Sequence, residues 1–258
     1  MSERAGRIAV VTGAAKGIGK ACALRLAAEG LIIAAVDREE VAECVLEIAA
    51  VGGKARAYAC DVTQPAEVTR TMERIVADLG GCDVLVNNAG RYDLTPHDSV
   101  SFETWRGIMA LNVDGMFLFT QAAIPHMKSK GWGRIINLVS NSFLIGPAGL
   151  SGYVASKAAN LGYVRALASE LGQFGITVNA VGPGPTVTPG TSQMFYDAQG
   201  VFNQDQFDAF WAEMIKGQAI PKIGTPEHAA AAVAFFASDD APFITGQSLI
   251  VDGGAVRQ

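Results

Sequence analysis

Tyr153 and Lys157 are the two side chains of this sequence whose types and spacing best suit proton transfer. They are four residues apart in a strongly helical stretch, so both project from one helix face with Cβ atoms about 5–6 Å apart. A free phenol has a pKa near ~10, which is too high for a base at neutral pH. Because a neighbouring ammonium group favours the phenolate, the pair predicts a tyrosine general acid or base.

The same spacing also occurs on solvated helix faces, so the surrounding polar residues decide between the two interpretations. Ser140 ends a predicted strand 13 residues before Tyr153, where its hydroxyl can hold a substrate oxygen. Ser142 is a competing serine that a turn also explains, and we favour Ser140 because a strand end holds a side chain more rigidly. Asn112 lies inside a long predicted helix, where it can bend the helix or fix a water in a proton path.

A glycine-rich turn lies between the first predicted strand and the first predicted helix. The stretch Thr12–Gly19 has the spacing G-x-x-x-G-x-G, one residue longer in its first gap than the commoner dinucleotide fingerprint. Glycines let the backbone approach a pyrophosphate, while the helix N–H groups and dipole attract its charge. An ordinary tight turn uses the same glycines, but the place directly after the first strand favours a phosphate-binding loop.

Asp37 closes the second predicted strand, 18 residues after Gly19. A carboxylate there accepts both ribose hydroxyls of an adenosine and repels a 2′-phosphate, which favours NAD. Lys16 and Arg38 argue instead for NADP, because either cation can pair with its 2′-phosphate. We predict NAD, since the carboxylate faces the ribose whereas the flanking cations can swing into solvent.

Polar residues also follow the third and fourth predicted strands. Asp61 comes after the third strand, where an adenine ring would end, and Asn87-Asn88-Ala89-Gly90 comes after the fourth. Two amides and a glycine can form an ordinary turn. At the carboxyl edge of an open parallel sheet, however, they are well placed to line the crevice where ligands bind.

Short apolar runs alternate with longer helical patterns along the whole chain. Strands are predicted at 7–11, 31–36, 55–60, 82–86, 133–139, 176–181 and 248–251, and helices near 17–29, 39–51, 65–79, 102–128, 152–173 and 226–238. The strands are nearly continuous apolar runs, as in parallel strands that are buried on both faces. Because no composition shift divides the chain, we predict a single α/β domain with a doubly wound parallel seven-stranded sheet and helices on both faces.

The composition excludes several classes of function. The chain has 258 residues, a formal charge of −5 and no run of Lys and Arg, so a nucleic-acid partner is not expected. The cysteines form no C-x-x-C pair, which argues against a zinc site or a disulfide framework and for buried thiols in a reducing compartment. No metal site is predicted.

The apolar stretches of the sequence are short. The run that ends at Thr12 is too short for the hydrophobic region of a signal peptide. No apolar stretch is expected to reach the length that crosses a bilayer. We therefore predict a cytoplasmic protein with no membrane partner.

The chain resembles the short-chain dehydrogenase/reductase family along essentially its whole length. The resemblance rests, in order, on Thr12–Gly19, Asp37, Asp61-Val62, Asn87-Asn88-Ala89-Gly90, Asn112, Ser140, Tyr153-x-x-x-Lys157 and Pro183-Gly184. It implies a Rossmann-type fold and a catalytic tetrad of Asn112, Ser140, Tyr153 and Lys157. Tyr153 would be the general acid or base, and Ser140 would orient the substrate oxygen. Lys157 would hold the ribose and lower the tyrosine pKa, and Asn112 would anchor a proton-relay water.

The resemblance also implies which residues touch a dinucleotide cofactor, NAD. Gly13, Lys16, Gly17, Ile18 and Gly19 would meet the diphosphate and adjoining ribose, Asp37 the adenine ribose, and Asp61 and Val62 the adenine. Asn88, Ala89, Gly90, Tyr153 and Lys157 would lie near the nicotinamide ribose, and Pro183, Gly184, Thr186 and Thr188 at the carboxamide end. Pro185 and Pro189 depart from the common family pattern in this last segment.

The expected substrate pocket is apolar and aromatic. Its predicted contacts are Tyr92, Ser142, Phe143, Leu144, Met194 and Phe195, the last two in a substrate lid at about 185–222. No Arg or Lys lies between 184 and 214, so we expect an apolar or aromatic secondary alcohol or its ketone, not an anionic substrate. The aromatic residues at 207–214 are equally consistent with the buried face of a lid helix.

Within the family, the sequence is similar to bacterial NAD-dependent secondary-alcohol dehydrogenases such as 1-phenylethanol dehydrogenase and pyridoxal 4-dehydrogenase. The stretches Gly131–Asn137 and Thr245–Gln247 carry this likeness, which also implies a homotetramer with the tail at Gly253-Gly254 near a subunit contact. The alternative activity is a 3-oxoacyl thioester (acyl-carrier-protein) reductase that uses NADPH. A remote alternative is a catalytically inactive dinucleotide-binding protein.

Overall fold

A computed structural model describes residues 5–257, and it contains one parallel sheet with the strand order β3-β2-β1-β4-β5-β6-β7. The strands are β1 Ile8–Thr12, β2 Ile32–Asp37, β3 Lys54–Ala59, β4 Val84–Asn87, β5 Gly133–Leu138, β6 Ile176–Pro183 and β7 Ser248–Val251. The helices are α1 Gly17–Ala28, α2 Ala42–Ala50, α3 Pro65–Leu79, α4 Phe102–Met109, α5 Gly115–Lys130, α6 Ser142–Ile145, α7 Ser151–Leu171, α8 Pro189–Ser192, α9 Gln204–Met214 and α10 Pro226–Phe236. The predicted single Rossmann-type domain is confirmed.

Helices cover both faces of the sheet, which is why its central strands are mainly apolar and are buried along their length. On one face, α1, α2 and α10 pack against the sheet in a core that includes Leu26, Ile48 and Val233. On the other face, α3, α5 and α7 form a second core around Phe119 and Val164. Burial of apolar surface in these two cores fixes which edge of the sheet each connecting loop reaches.

The strand order reverses direction between β1 and β4, and this point determines where a ligand crevice forms. β1 is paired in parallel with β2 on one side and with β4 on the other. The chain leaves these neighbouring strands toward opposite faces, so their carboxyl ends border an open cleft. The glycine-rich turn after β1 and the Asn87–Gly90 segment after β4 both lie at this cleft.

The predicted helix at 102–128 changes from α-helical to π-helical geometry in its middle. α4 and α5 are joined without a break in the chain by a π-helical turn at Ala110–Asp114. Asn112 lies in that turn and is 1% exposed. The local change in helix geometry at Asn112 is compatible with the sequence-based expectation for this residue, and π turns of this kind are frequent at functional sites.

The prediction that no apolar stretch reaches membrane-spanning length is wrong for this segment. Because the π turn keeps the helix continuous, Phe102–Lys130 forms 29 helical residues, and its most apolar 18-residue stretch has a mean hydropathy of 1.3, so the helix could cross a membrane by length and composition alone. In the fold, its Phe119, Ala123 and Met127 are fully buried against the sheet. The apolar character of this helix is explained by that core.

The connection between β6 and α10, residues 184–225, contains α8, α9 and its own aromatic cluster. Phe195 lies at the centre of this cluster, with ring centroids 5.2 Å from Phe207 and 5.4 Å from Phe210. Trp211 is 2% exposed and packs on the same rings. The β6–α10 connection is therefore a packed unit and not an unstructured loop.

The cysteine predictions can be compared directly with the structure. Cys22, Cys44, Cys60 and Cys82 are all buried and none forms a disulfide, as predicted. Burial raises the pKa of Cys22 to about 12, so this thiol is unreactive at neutral pH. Within residues 5–257, no group of three or more His, Cys, Asp or Glu side chains could hold a metal ion.

Candidate active site

Tyr153 and Ser140 meet at the carboxyl edge of the sheet. Ser140 lies two residues beyond the end of β5, and Tyr153 lies in the first turn of α7. The Ser140 hydroxyl lies close enough to the Tyr153 phenol to lower the pKa of that phenol by hydrogen bonding. The Ser140 hydroxyl also accepts a hydrogen bond of 3.1 Å from the backbone N–H of Ser142, which holds it in place. Two hydroxyl groups therefore converge where one substrate oxygen could bind both.

Lys157 lies one helical turn beyond Tyr153 and is 5% exposed. Its Nζ donates a 2.7 Å hydrogen bond to the carbonyl of Leu138 and lies 5.6 Å from the centre of the Tyr153 ring. Burial lowers the pKa of Lys157 from 10.5 to about 8. The ammonium group is thus held beside the phenol, as the spacing predicts, but at a cost in solvation.

The pKa of Tyr153 differs from the sequence-based expectation. Burial raises it, the hydrogen bond with Ser140 lowers it, and the neighbouring Tyr92 raises it further. Lys157 is not among the groups that shift the pKa of Tyr153 in the protein without a bound nucleotide. The result follows from the partly buried position of the phenol, because desolvation disfavours its charged form.

Asn112 is bound tightly to the segment that follows β4. Its Oδ1 accepts from the backbone N–H of Arg91, and its Nδ2 donates to the Arg91 carbonyl, both at 2.9 Å. The same Nδ2 donates to the Ser156 hydroxyl at 2.9 Å, and that hydroxyl donates to the Tyr153 carbonyl at 2.7 Å. The π turn is therefore connected through hydrogen bonds to the first turn of α7.

Ser156 is a residue that the sequence analysis missed. Ser156 is completely buried, and its hydroxyl joins the Asn112 side chain to the backbone carbonyl of Tyr153. A polar residue three positions after Tyr153 lies on the same helix face, and that spacing was the available signal. That spacing alone does not identify the residue, since a serine in a helix commonly bonds its own backbone.

Two glycines of the glycine-rich turn lie so close to neighbouring atoms that their positions have no room for a side chain. A Cβ on Gly19 would lie 2.0 Å from the Gly13 carbonyl, and one on Gly13 would lie 2.6 Å from Asn88 Nδ2. Gly13 and Gly17 also have positive φ angles, +68° and +58°. Ile18 packs against the first core, so the turn presents backbone and not side chains to the cleft. These features fit a cradle for a nucleotide diphosphate.

Asn88 braces this turn from β4. Its Nδ2 donates to the carbonyls of Thr12 and Gly13 at 3.0 and 3.1 Å. The Thr12 hydroxyl in turn accepts from the backbone N–H groups of Asn88 and Ala89. The amide protons of Asn88 are therefore used inside the protein, and the residue shapes the cradle.

Charged side chains at and after the end of β2 have hydrogen-bond or ion-pair partners within the protein. Asp37 accepts hydrogen bonds from the backbone N–H groups of Ala15 and Glu39 at 3.0 Å each. Lys16 donates to both carboxylate oxygens of Glu39, at 2.9 and 2.7 Å. Salt-bridge formation with Lys16 lowers the pKa of Glu39. One of the two cations that could have paired with a 2′-phosphate therefore already has a carboxylate partner.

Two further predicted nucleotide contacts also have structural partners. Asp61 Oδ1 accepts from the backbone N–H and the hydroxyl of Thr63 at 2.9 and 2.8 Å, which forms the turn that leads to α3. Val62 is 5% exposed and packs against Gly115, where a Cβ would lie only 2.6 Å away. Both residues lie after β3 at the carboxyl edge, as expected from the sequence.

The start of the β6–α10 connection closes over the glycine-rich turn. Gly184 donates its N–H to Val251, and the Thr186 hydroxyl donates to the Gly184 carbonyl at 2.9 Å. Thr188 caps α8 and lies so close to Gly17 that a Cβ there would be 3.4 Å from the threonine Cβ. The segment after Pro183 thus borders the same cleft as the cradle.

Gly90 joins the two halves of the site. A Cβ at this position would lie 3.1 Å from Asn112 Oδ1 and 3.5 Å from Lys157 Nζ. Any larger residue would push against both groups. The glycine therefore allows the segment after β4 to pass directly over the predicted tetrad.

The predicted substrate contacts do not all face open space. Tyr92 is 36% exposed and packs edge-on against Tyr153, with 6.1 Å between ring centroids. Met194 is also exposed, and Leu144 is partly buried. Phe143 packs into the second core, and Phe195 lies inside the aromatic cluster with 2% exposure. Sequence alone did not distinguish these inward-facing aromatic residues from wall residues.

Comparison with known proteins agrees with this geometry. Residues 13–256 match the family model described as enoyl-(acyl carrier protein) reductase. The short-chain reductase protein NovJ of Streptomyces niveus is 40% identical over 96% of this chain and 93% of its own. A cyclohexanol dehydrogenase of an Acinetobacter species is 35% identical over 96% and 94%.

Two further matches extend the comparison. The 3-oxoacyl-[acyl-carrier-protein] reductase FabG of Vibrio cholerae is 36% identical over 96% of this chain and 97% of its own. The crystal structure of a short-chain dehydrogenase/reductase from Burkholderia xenovorans superposes with a TM-score of 0.92 at 32% identity, covering 99% and 98% of the two chains.

The fold, the placement of the motif residues and these matches define the class of protein. The chain belongs to the short-chain dehydrogenase/reductase family, and it is an oxidoreductase of that family. Members of the family use NAD(H) or NADP(H). The family resemblance derived from the sequence is therefore confirmed.

Proposed function

We propose that this protein transfers a hydride between NAD(H) and an apolar or aromatic secondary alcohol or its ketone. The observation that carries the proposal is the convergence of the Ser140 hydroxyl and the Tyr153 phenol beside the Lys157 ammonium group. Two hydroxyls that share one substrate oxygen, next to a cation, suit proton transfer at a carbinol or carbonyl. The pair lies in the same cleft as the glycine cradle.

The bound nicotinamide would supply the hydride acceptor or donor and, when oxidised, a positive charge. In alcohol oxidation, Ser140 would hold the carbinol oxygen while Tyr153 removes its proton. Lys157, with a pKa of about 8, still carries its charge for the most part at neutral pH. Because burial raises the pKa of Tyr153, we expect the phenolate to form only when both positive charges are present.

The charges after β2 support NAD over NADP. Asp37 is held by two backbone N–H groups with its carboxylate at the end of β2. The pairing of Lys16 with Glu39 leaves Arg38 as the competing cation of this loop. A 2′-phosphate would therefore meet the Asp37 carboxylate and a Lys16 that already pairs with Glu39.

The walls of the cleft support an apolar substrate. Tyr92 and Met194 are exposed aromatic and aliphatic side chains in the segments that border the site. The segment from 184 to 214 contains no Arg or Lys, so it offers no partner for an anionic group. The similarity to a cyclohexanol dehydrogenase is in keeping with a neutral alicyclic or aromatic substrate.

The alternative is reduction of a 3-oxoacyl thioester. The family model and the similarity to FabG favour it, because both carry names from acyl-carrier-protein chemistry. An acidic carrier protein would need a basic surface beside the cleft, and Lys16 there is paired with Glu39. We therefore rank this activity second.

A substrate panel run with both cofactors tests the proposal. Aryl ketones, alicyclic ketones and 3-oxoacyl thioesters would each be assayed with NADH and with NADPH, and the corresponding alcohols with NAD and NADP. We expect the highest kcat/KM for an aryl or alicyclic substrate with NAD(H). Poor turnover of every apolar ketone and alcohol, or a marked advantage for the thioester with NADPH, would contradict it.

The Asp37→Asn variant tests the cofactor preference separately. We expect the ratio of kcat/KM for NAD to that for NADP to fall by on the order of tenfold or more, because a charge that repels the 2′-phosphate is removed while the side-chain shape is kept. Glu40→Ala removes a nearby exposed carboxylate and should leave the ratio unchanged. An unchanged ratio in Asp37→Asn would show that this carboxylate does not select the cofactor.

A further inference from the structure

Asn160 is a polar residue in an otherwise apolar row of α7. It is 2% exposed, lies one turn beyond Lys157, and is followed on the same buried face by Val164, Leu167 and Leu171. A buried amide in such a row costs free energy unless its donor and acceptor are both satisfied. Its presence therefore calls for a partner on a neighbouring element.

The partner of its N–H group is the π turn. Asn160 Nδ2 donates a 3.0 Å hydrogen bond to the main-chain carbonyl of Asn112. A π turn interrupts the regular pattern of helix hydrogen bonds. Asn160 thus supplies a side-chain donor at the residue where the helix 102–130 departs from α-helical geometry.

The other polar atoms of Asn112 are already engaged. Its side-chain oxygen accepts from Arg91, and its two amide protons go to Arg91 and Ser156. By contrast, Asn160 Oδ1 is buried and has no hydrogen-bond partner among residues 5–257. The orientation of this amide is fixed, because a flip would set its oxygen against the Asn112 carbonyl. Among the side-chain polar atoms of Asn112 and Asn160, Asn160 Oδ1 is therefore the one that lacks a hydrogen-bond partner.

We propose that Asn160 is a positioning residue of the proton path, in two ways. Its N–H holds the π turn through the Asn112 carbonyl, and its Oδ1 accepts from an internal water that the Lys157 ammonium also binds. Asn160 and Lys157 are three residues apart on one helix face, a separation that a single water can bridge. Buried polar atoms are nearly always satisfied by protein or by ordered water, which gives the Oδ1 atom this role.

The proposal also explains the direction of the hydrogen-bond chain. Asn160 donates to Asn112, Asn112 donates to Ser156, and Ser156 donates to the backbone carbonyl of Tyr153. The Ser156 hydroxyl both accepts and donates, so the last two bonds strengthen each other, and together with the bond from Asn160 to the Asn112 main chain they fix α7 relative to the π turn. The inference rests on the proposed role of Tyr153 in proton transfer but not on the identity of the substrate.

Replacement of Asn160 by Leu tests the proposal against a matched buried amide. Asn179 is 1% exposed and bonds the backbone of Ile244 and Gln247, away from the π turn, so Asn179→Leu serves as the control. We expect Asn160→Leu to lower kcat by on the order of 10², with KM and NADH binding nearly unchanged and a larger solvent deuterium isotope effect on kcat. Amide exchange at residues 110–114, measured without nucleotide, should accelerate in Asn160→Leu alone.

Asn160→Ser provides the second variant, since its hydroxyl can still donate and accept. We expect kcat within about tenfold of the wild type, because a water-mediated contact is nearly as good as a direct one. If Asn160→Leu keeps the wild-type kcat and isotope effect, or if both Leu variants lose kcat in parallel with their thermal stability, the proposal is overturned. A wild-type protein that turns over no substrate of the panel would instead contradict the proposed function.

Discussion

The Lys157 ammonium group illustrates how a functional residue can oppose stability. Burial lowers its pKa from 10.5 to about 8, so the folded protein holds the charged form less well than the unfolded chain does. Below pH 8 both states are protonated and the full cost is present. As pH rises from about 8 to 10.5, the folded state loses its proton first, and the cost is relieved.

This reasoning predicts that Lys157→Met stabilises the protein while it abolishes the proposed proton chemistry. We expect the free energy of unfolding at pH 7 to rise by about 1 to 3 kcal/mol, since a shift of one pKa unit corresponds to ~1.4 kcal/mol and the bond to Leu138 is lost. The gain should shrink between pH 8 and 10. Urea unfolding at several pH values measures it.

Lys54→Met is the control, because Lys54 is an exposed lysine at the start of β3. It should change the free energy of unfolding little and with no such dependence on pH. A Lys157→Met protein that is less stable than the wild type at pH 7 would show that the buried ammonium is a net stabilising group.

At the scale of elements, the glycine-rich turn is limited by sterics and not only by backbone angles. Gly19 lies inside α1, yet a Cβ there would be 2.0 Å from the Gly13 carbonyl and 2.4 Å from Asn88 Nδ2. Any larger residue at position 19 must therefore displace the cradle, however strongly that residue favours a helix.

We predict that Gly19→Ala weakens NADH binding by more than tenfold, because the added methyl displaces the backbone that would hold the diphosphate. Gly162→Ala is the matched control, since Gly162 is also helical but has no atom within 4 Å of its Cβ position. That control should bind NADH normally and be slightly more stable, as alanine favours helices. Fluorescence titration with NADH measures both; equal affinity in Gly19→Ala would contradict a diphosphate cradle at this turn.

Much of the fold was predictable because its signals are local. Short apolar or β-branched runs placed all seven strands, and a local change in the helix at Asn112 was one of two interpretations of a polar residue within a long helix. Other features depend on distant contacts. The pairing of Lys16 with Glu39 brings together two loops, and the inward position of Phe195 depends on partners in α9.

The site was predictable to a similar degree. Motif residues at strand ends were correctly expected to meet at one edge, since parallel strands end there together. Ser156 and Asn160 were missed, because a helical pattern does not tell which buried polar residue has a partner on another element. The pKa of Tyr153 was misjudged because spacing gives the distance to Lys157 but not the degree of burial.

At the scale of the whole molecule, one exposed region is a candidate for contact between two copies of the chain. β7 is an edge strand, and beside it Phe243 is fully exposed, with Phe235 and Leu249 each 40% exposed. Monomeric proteins rarely leave such apolar groups together at an open sheet edge. The tail at Gly253 packs against Ile220 of the same chain, so the edge itself is left available.

We propose a homotetramer in which this edge forms one of the contacts. Light scattering after size exclusion should give four times the chain mass for the wild type, and a smaller species for Phe243→Asp. Leu46→Asp places the same charge on the exposed face of α2 and should leave the assembly intact. A monomeric wild type, or a Phe243→Asp protein that is still tetrameric, would contradict this contact.

The most direct test of the central claim compares two tyrosines on α7. Tyr153→Phe removes the hydroxyl that lies beside Ser140, whereas Tyr163→Phe removes a partly buried hydroxyl near Thr120. If Tyr153 transfers the proton, Tyr153→Phe should lower kcat by on the order of 10²–10⁴ while NADH still binds, and Tyr163→Phe should stay near the wild type. Retention of more than about a tenth of kcat in Tyr153→Phe would mean that another group moves the proton.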